Sequence, residues 1–200
     1  MADLLIATTN PGKIREIVGI LDGVPVSLVT LADCDAIPEP EETAATFAEN
    51  ARLKAIYYAG ATGLPAVADD SGLEIDALGN APGVHSARWH GDDYAVKFRA
   101  IYRELAARGL STSPARFVAH VTLAHRGQVL FESTGTVEGE IASSPRGTEG
   151  FGYDPIFFYP PYGVTLGEVS GERKAAVSHR GQAFRQLRDR LLADPDILTR

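Results

Sequence analysis

The chain has little of what builds covalent cross-links or membrane spans. Its 200 residues include one cysteine, Cys34, which excludes an internal disulfide and a zinc site built from cysteines. No stretch approaches the roughly 20 consecutive apolar residues that a membrane-spanning helix needs. The first seven residues contain Asp3 and too short an apolar run for a signal peptide. We therefore expect a soluble, cytoplasmic protein with no membrane partner.

Positive charge is also in short supply. The formal net charge is -7, from 19 lysines and arginines against 26 aspartates and glutamates. Broad binding to nucleic acid depends on summed attraction to phosphates, so we expect no nucleic-acid polymer as a partner. A small anionic ligand needs only a local cluster of cations and backbone N–H groups, often with a metal ion. The charge balance leaves that kind of ligand open.

The first half of the chain alternates short apolar runs with helical patterns, and it contains no internal repeat. Leu4–Ala7 reads as a buried strand, and a helix is expected after Asn10. Capping residues predict a second helix from Thr46 toward Ala59. Leu64–Ala68 reads as another buried strand that ends in a turn at Asp69-Asp70-Ser71-Gly72. The helix after Asn10 is expected to place on one face Ile14, Ile17, Val18 and Leu21.

The second half adds two helices and a hairpin. Tyr94–Ala107 and the segment after Ser178 have helical patterns, and Phe184, Leu187 and Leu191 share one side of the latter. Alternating apolar residues before and after Arg126-Gly127 predict an antiparallel hairpin. Interleaved strands and helices together with a hairpin favour an α/β fold with a mixed sheet.

The junction Thr8-Thr9-Asn10-Pro11-Gly12-Lys13 is the first candidate site. Asn10 is a good N-cap and Pro11 suits the first helical position, so N–H groups and the positive end of the helix dipole would face an anion. Lys13 adds a full charge in a turn where the dipole favours acids, which a bound phosphate explains better than helix stability does. The alternative is an ordinary capped helix with a surface lysine.

A set of carboxylates is the second candidate. It comprises Glu41 and Glu42 in an acidic loop, Glu49 on the second helix, and Asp69-Asp70 after a strand. Mg²⁺ prefers oxygen ligands and usually takes one or two carboxylates together with waters and phosphates. Because neighbouring side chains on a strand point to opposite faces, we expect Asp69 and Asp70 to serve different purposes. The alternative to a metal ligand is a helix-capping role for Glu49 and a solvated loop charge for Glu42.

Two further segments have residues suited to a nucleobase. Glycines flank Phe151 in Phe151-Gly152-Tyr153-Asp154, which leaves room for a flat ligand to stack on its ring. Lys174 and the segment Ser178-His179-Arg180 supply donors that suit a carbonyl oxygen or a phosphate. The alternatives are an aromatic turn packed in the core and a structural histidine.

These segments, in this order, resemble the inosine/xanthosine triphosphate pyrophosphatase family, also called dITP/XTP pyrophosphatases. The resemblance extends from Leu5 to about Leu191. Each motif is weak alone, and the ordered set is specific. The motifs are Thr8–Lys13, Glu41–Thr43, Thr46–Ala51, Leu53–Ala55, Ala68–Leu73, Ala81–Gly83, Ser86–Arg88, Gly150–Phe157 and Ser178–Ala183.

The resemblance implies an architecture and an activity. Residues 1–200 would form one two-lobed α/β domain, with an elongated mixed sheet flanked by helices, a cleft between the lobes, and a homodimer as the assembly. The family hydrolyses nucleoside triphosphates to the monophosphate and pyrophosphate, with Mg²⁺ as cofactor. It favours deaminated purines such as ITP, dITP and XTP over ATP and GTP, which cleanses the nucleotide pool.

The resemblance also implies roles for individual residues. Thr8–Lys13 would be the triphosphate loop, in which Pro11 and Gly12 act through the backbone. Glu41 and Asp70 would be the metal ligands, Asp70 also the proton acceptor, and Ser71 a substrate contact. The base and sugar pocket would consist of Phe151, Gly152, Tyr153, Asp154, Lys174, His179 and Arg180.

Two hypotheses concern selectivity and reaction type. Donors facing a 6-oxo group, which we assign to Arg180 and nearby amides, would be left unpaired by the amino group of adenine. The alternatives to a pyrophosphatase are a nucleotide or sugar phosphatase that releases orthophosphate, and a noncatalytic nucleotide-binding module. The clustered carboxylates disfavour the latter, because a pure anion binder gains nothing from added negative charge.

Overall fold

A computed structural model describes residues 1–199 of the chain. The strands are β1 (Ala2–Ile6), β2 (Val26–Thr30), β3 (Ala66–Ile75), β4 (Pro114–His125), β5 (Gln128–Ile141), β6 (Phe157–Tyr159) and β7 (Val164–Thr165). The α-helices are α1 (Pro11–Ile20), α2 (Phe47–Thr62), α3 (Tyr94–Ala106), α4 (Gly171–Val177) and α5 (His179–Ala193). None of the helices among residues 1–199 combines the length and apolar character that crossing a bilayer requires.

One sheet contains all these strands, in the order β2-β1-β3-β4-β5-β6-β7. β1 pairs in parallel with β2 and β3, whereas β6 is antiparallel to both β5 and β7. Leu4, Leu5 and Ile6 are fully buried, as expected for a parallel strand covered on both faces. The predicted α/β fold with a mixed sheet is confirmed. The elongated outline, the cleft and the single two-lobed domain stay predictions.

The predicted hairpin is confirmed, and its strands extend beyond the predicted Phe117–Leu123 and Val129–Thr134. β4 and β5 are neighbours in the sheet and are joined by Arg126 and Gly127, whose φ angles are 50° and 75°. Positive φ at both central residues gives the turn that matches the twist of a two-residue hairpin.

The strand predicted over Leu64–Ala68 differs from the observed one. The prediction of a turn at Asp69-Asp70-Ser71-Gly72 is wrong, because β3 continues through these residues to Ile75. β3 lies between β1 and β4 in the sheet, and pairing with these neighbours keeps the backbone extended where the local sequence favours a turn.

The described chain divides into two compact units, each with its own core. Unit 1 contains Met1–Asp70, Ala119–Gly135 and the segment from Arg180 onward, and unit 2 contains Ser71–Val118 and Thr136–His179. The core of unit 1 includes Leu4, Ile6, Ile17, Leu21, Phe184, Leu187 and Leu191. The core of unit 2 includes Leu73, Ile75, Ile101, Phe117, Ile156 and Phe157.

The predicted apolar helix faces are confirmed except at one position. Val18 was expected on the buried face of α1 but is 43% exposed, while Ile20 is 8% exposed. Ile17, Ile20 and Leu21 have the i, i+3, i+4 spacing of one face, and Val18 lies outside it because each residue turns the helix by about 100°.

An ion-pair cluster connects α2 to the hairpin strands of unit 1. Arg52 donates to both carboxylate oxygens of Glu132 on β5, at 2.5 and 2.8 Å, and His120 on β4 contacts the same carboxylate at 3.2 Å. Hydrogen bonds from Arg52 and His120 outweigh the opposing effect of partial burial and lower the pKa of Glu132 from 4.5 to about 2. The cluster therefore stabilises the position of α2 while Glu132 is ionised.

Glu132→Gln is expected to destabilise the protein in a pH-dependent way. Because folding depresses this pKa, the contribution of Glu132 is complete above about 4.5 and is lost as the pH falls toward about 2. Near neutral pH the variant should lose about 1 kcal/mol of unfolding free energy, and the difference from wild type should shrink at acidic pH. Denaturant titrations at several pH values measure this, with the exposed Glu140→Gln on the same strand as control. A difference that grows on acidification would contradict the assignment.

Candidate active site

The junction between β1 and α1 has the predicted cap. Asn10 adopts extended φ and ψ angles, and its Oδ1 accepts from the backbone N–H of Gly12 at 2.8 Å and of Lys13 at 3.2 Å. Pro11 is the first helical residue. The hydroxyl of Thr8 accepts from the N–H of Asn10 at 3.2 Å. Two of the amides expected to face an anion are therefore already bonded to the Asn10 side chain.

Lys13 extends from the first turn of α1 to a buried carboxylate. Its Nζ lies 3.1 Å from Oδ2 of Asp69 and 3.4 Å from the Asp69 carbonyl oxygen. Burial lowers the pKa of Lys13, and the Asp69 charge opposes that shift. The unfavourable helix position of Lys13 is thus offset by a carboxylate on β3.

Asp69 also contacts a second cation. Arg180, at the start of α5, donates from Nε to the same Oδ2 at 3.2 Å and from a terminal nitrogen to Glu16 at 2.6 Å. Burial alone would raise the pKa of Asp69, but Lys13 and Arg180 outweigh it and hold that pKa well below its usual range. Oδ1 of Asp69 is buried and has no hydrogen-bond partner among residues 1–199. Asp69 is therefore a buried anion that unites two cations of unit 1.

Asp70, the next residue on β3, has different partners, as strand alternation predicts. Asn50 of α2 donates to its Oδ2 at 3.1 Å, and Lys54 of α2 lies 3.3 Å from its Oδ1. Lys54 also contacts Glu42 at 2.5 Å. Burial raises the pKa of Asp70, with Glu42 acting in the same direction and Lys54 against it. The nearby acids keep Lys54 protonated despite its burial, since they raise its pKa.

The acidic loop therefore has two glutamates in different settings. Glu42 is part-buried against Lys54, whereas Glu41 is exposed and forms no hydrogen bond or ion pair with any residue that the structure describes. Thr46 caps α2 by accepting from the N–H of Glu49, and the Glu49 carboxylate accepts from the Thr46 hydroxyl. Glu49 thus has the capping role that was its alternative.

The aromatic loop of unit 2 is organised by Asp154. Its Oδ2 accepts from the N–H of Phe151 at 2.8 Å and pairs with Lys174 at 2.5 Å, and both charged side chains are almost fully buried. Lys174 Nζ lies 4.5 Å from the centre of the Phe151 ring. Gly150 has a φ of +72°, and a Cβ there would lie 2.1 Å from Asp154 Oδ2. The loop therefore requires glycine at this position.

Two other predicted pocket residues also have packed rings in unit 2. His179 stacks on Phe117, with 4.8 Å between ring centres. The Tyr153 hydroxyl donates to the carbonyl oxygen of Ser86 at 2.9 Å. Ser71 lies on β3 and is partly buried.

The structure thus forms two groups from the predicted site residues. Lys13 and Arg180 meet at Asp69 in unit 1, next to Asp70, while Phe151, Asp154 and Lys174 meet in unit 2. Arg180 was expected with the second group and is bonded within the first.

Sequence reasoning missed Asn50 and Lys54 as partners of Asp70. Both are buried on α2 and lie four residues apart, which is one helical turn, next to the small buried residues Ala51 and Ala55. A lysine and an asparagine on an otherwise small apolar face were the available signal, because polar groups are seldom buried without a partner.

Neutralising Asp69 should destabilise the protein, whereas neutralising Asp70 should not. Asp69→Asn leaves Lys13 and Arg180 with less compensation, and breaking such a buried pair costs about 3 kcal/mol or more. Asp70 carries a raised pKa, so its charge disfavours folding at neutral pH, and Asp70→Asn should leave stability unchanged or raise it. Chemical denaturation of both variants near neutral pH tests the contrast. Equal destabilisation would contradict it.

Comparison with known proteins agrees with the motifs. Residues 4–190 match the Ham1 family. A dITP/XTP pyrophosphatase of Thermus thermophilus is 49% identical, covering 92% of this chain and 89% of that protein. A dITP/XTP pyrophosphatase of Geobacter sulfurreducens is 46% identical, covering 96% of this chain and 97% of that protein. The structure of a HAM1 protein from Coxiella burnetii superposes with a TM-score of 0.88 at 39% identity, covering 96% of this chain and 100% of that one. The resemblance read from the motifs is confirmed, and the chain belongs to the Ham1 family.

Proposed function

We propose that this chain hydrolyses non-standard purine nucleoside triphosphates such as ITP, dITP and XTP to the monophosphate and pyrophosphate. The observation that carries the proposal is the pair of adjacent aspartates on β3, one bonded to Lys13 and Arg180 and the other to Lys54 and Asn50. A triphosphate needs cations for its charge and a base for the attacking water. The names of the relatives, dITP/XTP pyrophosphatase, support the same reaction.

Lys13 and the loop before it are assigned to the leaving pyrophosphate. Charge accumulates there as the bond to the α-phosphorus breaks, and a cation close to the leaving group stabilises that charge. Asp69 fixes the Lys13 ammonium from the other side. A triphosphate would compete with Asp69 for Lys13 and with Asn10 for the Gly12 and Lys13 amides. A bound triphosphate would therefore take the place of Asp69 and Asn10 at these donors.

Asp70 is assigned as the proton acceptor for the attacking water. Its burial and the nearby Glu42 raise its pKa, which makes it a stronger base than an exposed aspartate. Asn50 donates to one oxygen and Lys54 contacts the other, so the carboxylate is fixed in orientation. Direct contact with Mg²⁺ would lower this pKa, so in the complex with metal Asp70 would orient, or accept a proton from, a water that the metal polarises.

We propose Mg²⁺ as the cofactor, with Glu41 and Asp70 as its protein ligands. No group of three or more histidine, cysteine or acidic side chains suited to a metal lies within residues 1–199. A pair of carboxylates such as Glu41 and Asp70 is a donor set that fits Mg²⁺, because Mg²⁺ takes one or two carboxylates and completes its shell with waters and phosphate oxygens. Glu41 is exposed and has no ion-pair partner within residues 1–199, whereas Glu42 is bonded to Lys54. Bound Mg²⁺ would neutralise phosphate charge and polarise the attacking water.

Base recognition is assigned to the aromatic loop of unit 2. Phe151 offers a ring for stacking. The Asp154 carboxylate accepts from the backbone N–H of Phe151 and pairs with the Lys174 ammonium, which fixes both groups. Donors opposite a 6-oxo group favour deaminated purines over adenine by about 1–3 kcal/mol for each unpaired group. Arg180 as such a donor stays a prediction, since its described contacts are to Asp69 and Glu16. The homodimer also stays a prediction.

Product analysis tests the reaction. Incubation with ITP, dITP, XTP, ATP and GTP in the presence of Mg²⁺ should yield monophosphate and pyrophosphate from the deaminated purines first. Asp70→Asn should lower kcat by about 10²–10⁴ because it removes the base. Release of orthophosphate would identify a phosphatase, and an intact nucleotide would identify a binding module. Near-normal turnover of Asp70→Asn would remove Asp70 from the base role.

The two neighbouring glutamates separate the metal role from the structural one. Glu41→Gln should raise the Mg²⁺ concentration for half-maximal activity by about tenfold or more, because a carboxylate ligand is lost. Glu42→Gln is the matched control and should leave the Mg²⁺ requirement near that of wild type. The reverse order of effects would assign the metal to Glu42.

A further inference from the structure

A buried cation in unit 2 has no role in the reaction described above. Lys97, on α3, is 0% exposed, and within residues 1–199 its ammonium forms no ion pair. Burying an ammonium without compensation is costly. Burial lowers the pKa of Lys97, with only the more distant Asp92 acting in the opposite direction. An apolar residue would pack in this position without that cost, so the ammonium needs an explanation.

The partners of Lys97 are backbone carbonyl groups and an aromatic ring. Its Nζ donates to the carbonyl oxygens of Ser86 at 3.1 Å and Ala87 at 2.5 Å. It also lies 4.3 Å from the centre of the Tyr94 ring. Two carbonyl groups and a ring face satisfy an ammonium while leaving its charge unneutralised. Lys97 therefore fixes the backbone of the segment that contains Ser86 and Ala87.

Ser86 connects that segment to β3 and to the aromatic loop. Its hydroxyl accepts from the N–H of Leu73 on β3 at 2.9 Å and donates to the carbonyl oxygen of Gly83 at 2.6 Å. Its carbonyl oxygen accepts from Lys97 and also from the hydroxyl of Tyr153 at 2.9 Å. One carbonyl oxygen thus joins the buried ammonium to the aromatic loop.

Tyr153 is fixed from a second side by the same helix. The Tyr94 and Tyr153 rings lie edge to face with 5.2 Å between their centres, and Tyr94 is also the ring beneath Lys97. Tyr153 directly precedes Asp154, which bonds Phe151 and Lys174. Displacement of Tyr153 would therefore move the groups assigned to the base.

We propose that Lys97 is a positioning residue for base recognition, acting through the Ser86 carbonyl oxygen on Tyr153 and so on the Phe151–Asp154 loop. The inference rests on the proposed function for its kinetic consequences, and on contacts within unit 2 for its structural ones. It predicts an effect on substrate binding without a matching effect on the bond-breaking step, because Asp70 and Lys13 belong to unit 1.

Lys97→Met keeps the length of the side chain and removes its donors. The KM for dITP should rise by about tenfold, as expected for loss of hydrogen bonds to a charged group, while kcat stays within about twofold of wild type. Lys97→Arg keeps the positive charge and the donors and should lie closer to wild type than Lys97→Met. Arg99→Met, two residues along α3 and exposed, is the matched control and should not change KM. A lowered kcat with unchanged KM would overturn the proposal.

Tyr153→Phe tests the connecting step. It removes the second donor to the Ser86 carbonyl oxygen, so its effect on KM should be smaller after Lys97→Met than in wild type. Independent, multiplicative effects of the two substitutions would overturn the route through Ser86. If Lys97→Met does not fold, Tyr153→Phe alone still tests the connection, since it should raise KM with kcat near that of wild type. An unchanged KM in that variant would overturn the route through Ser86.

A substrate-free measurement separates this proposal from the proposed function. Trp89 is the single tryptophan, lies three residues after Ser86 and packs against the core of unit 2. Its emission in the free protein should shift in Lys97→Met and stay unchanged in Arg99→Met. Unchanged emission in both would overturn the role of Lys97. Absence of pyrophosphate from wild type would instead overturn the proposed function and leave the emission test intact.

Discussion

The Asp69 carboxylate is fully buried in β3 and binds two cations that come from distant parts of the sequence. Lys13 is 56 residues away and Arg180 is 111 residues away. Two cations at one carboxylate oxygen offset its desolvation, so Asp69 stays ionised where an isolated carboxylate would take up a proton. The start of α1, the start of α5 and β3 therefore depend on one charge. Without it, Lys13 and Arg180 would be buried cations with fewer partners.

The next residue shows the opposite balance, and the difference follows from strand geometry. Asp70 points away from Asp69 and has Lys54 as its cation, which it shares with Glu42. Here burial and a second acid outweigh the nearby cations, Lys54 foremost, and the pKa of Asp70 is raised. A strand can thus place a carboxyl with a lowered pKa beside one with a raised pKa. This separation of pKa values on adjacent residues is the physical argument for proposing a structural role for Asp69 and the base role for Asp70.

The parts of the fold that local sequence specifies were predictable. Asn10 and Pro11 signal the start of α1, Arg126-Gly127 the hairpin turn, and Phe184 with Leu187 the buried face of α5, because each pattern acts within a few residues. The course of β3 was not predictable from local sequence, because pairing with β1 and β4 overrides the turn-forming residues at Asp69–Gly72. Strands as short as β6 and β7 carry no periodic signal, and their positions depend on pairing, of β6 with β5 and of β7 with β6.

The difference between features set by local sequence and features set by tertiary packing also applies to the candidate site. Motifs predict functional roles for Lys13, Asp70 and the Phe151–Asp154 loop, but the partners of these groups lie far away in sequence. No spacing rule relates Lys13 to Arg180, or Asp154 to Lys174, because such pairs depend on tertiary packing. The sequence therefore supplies the candidate residues, and the structure was needed to find what each one contacts.

Site-resolved titration of the aspartate side-chain carboxyl carbons by NMR tests the central claim most directly. The account predicts that Asp69 stays ionised well below the ordinary range of aspartate, and that Asp70 takes up its proton above that range. Two carboxyls that titrate together near the ordinary value would contradict the division of roles between them.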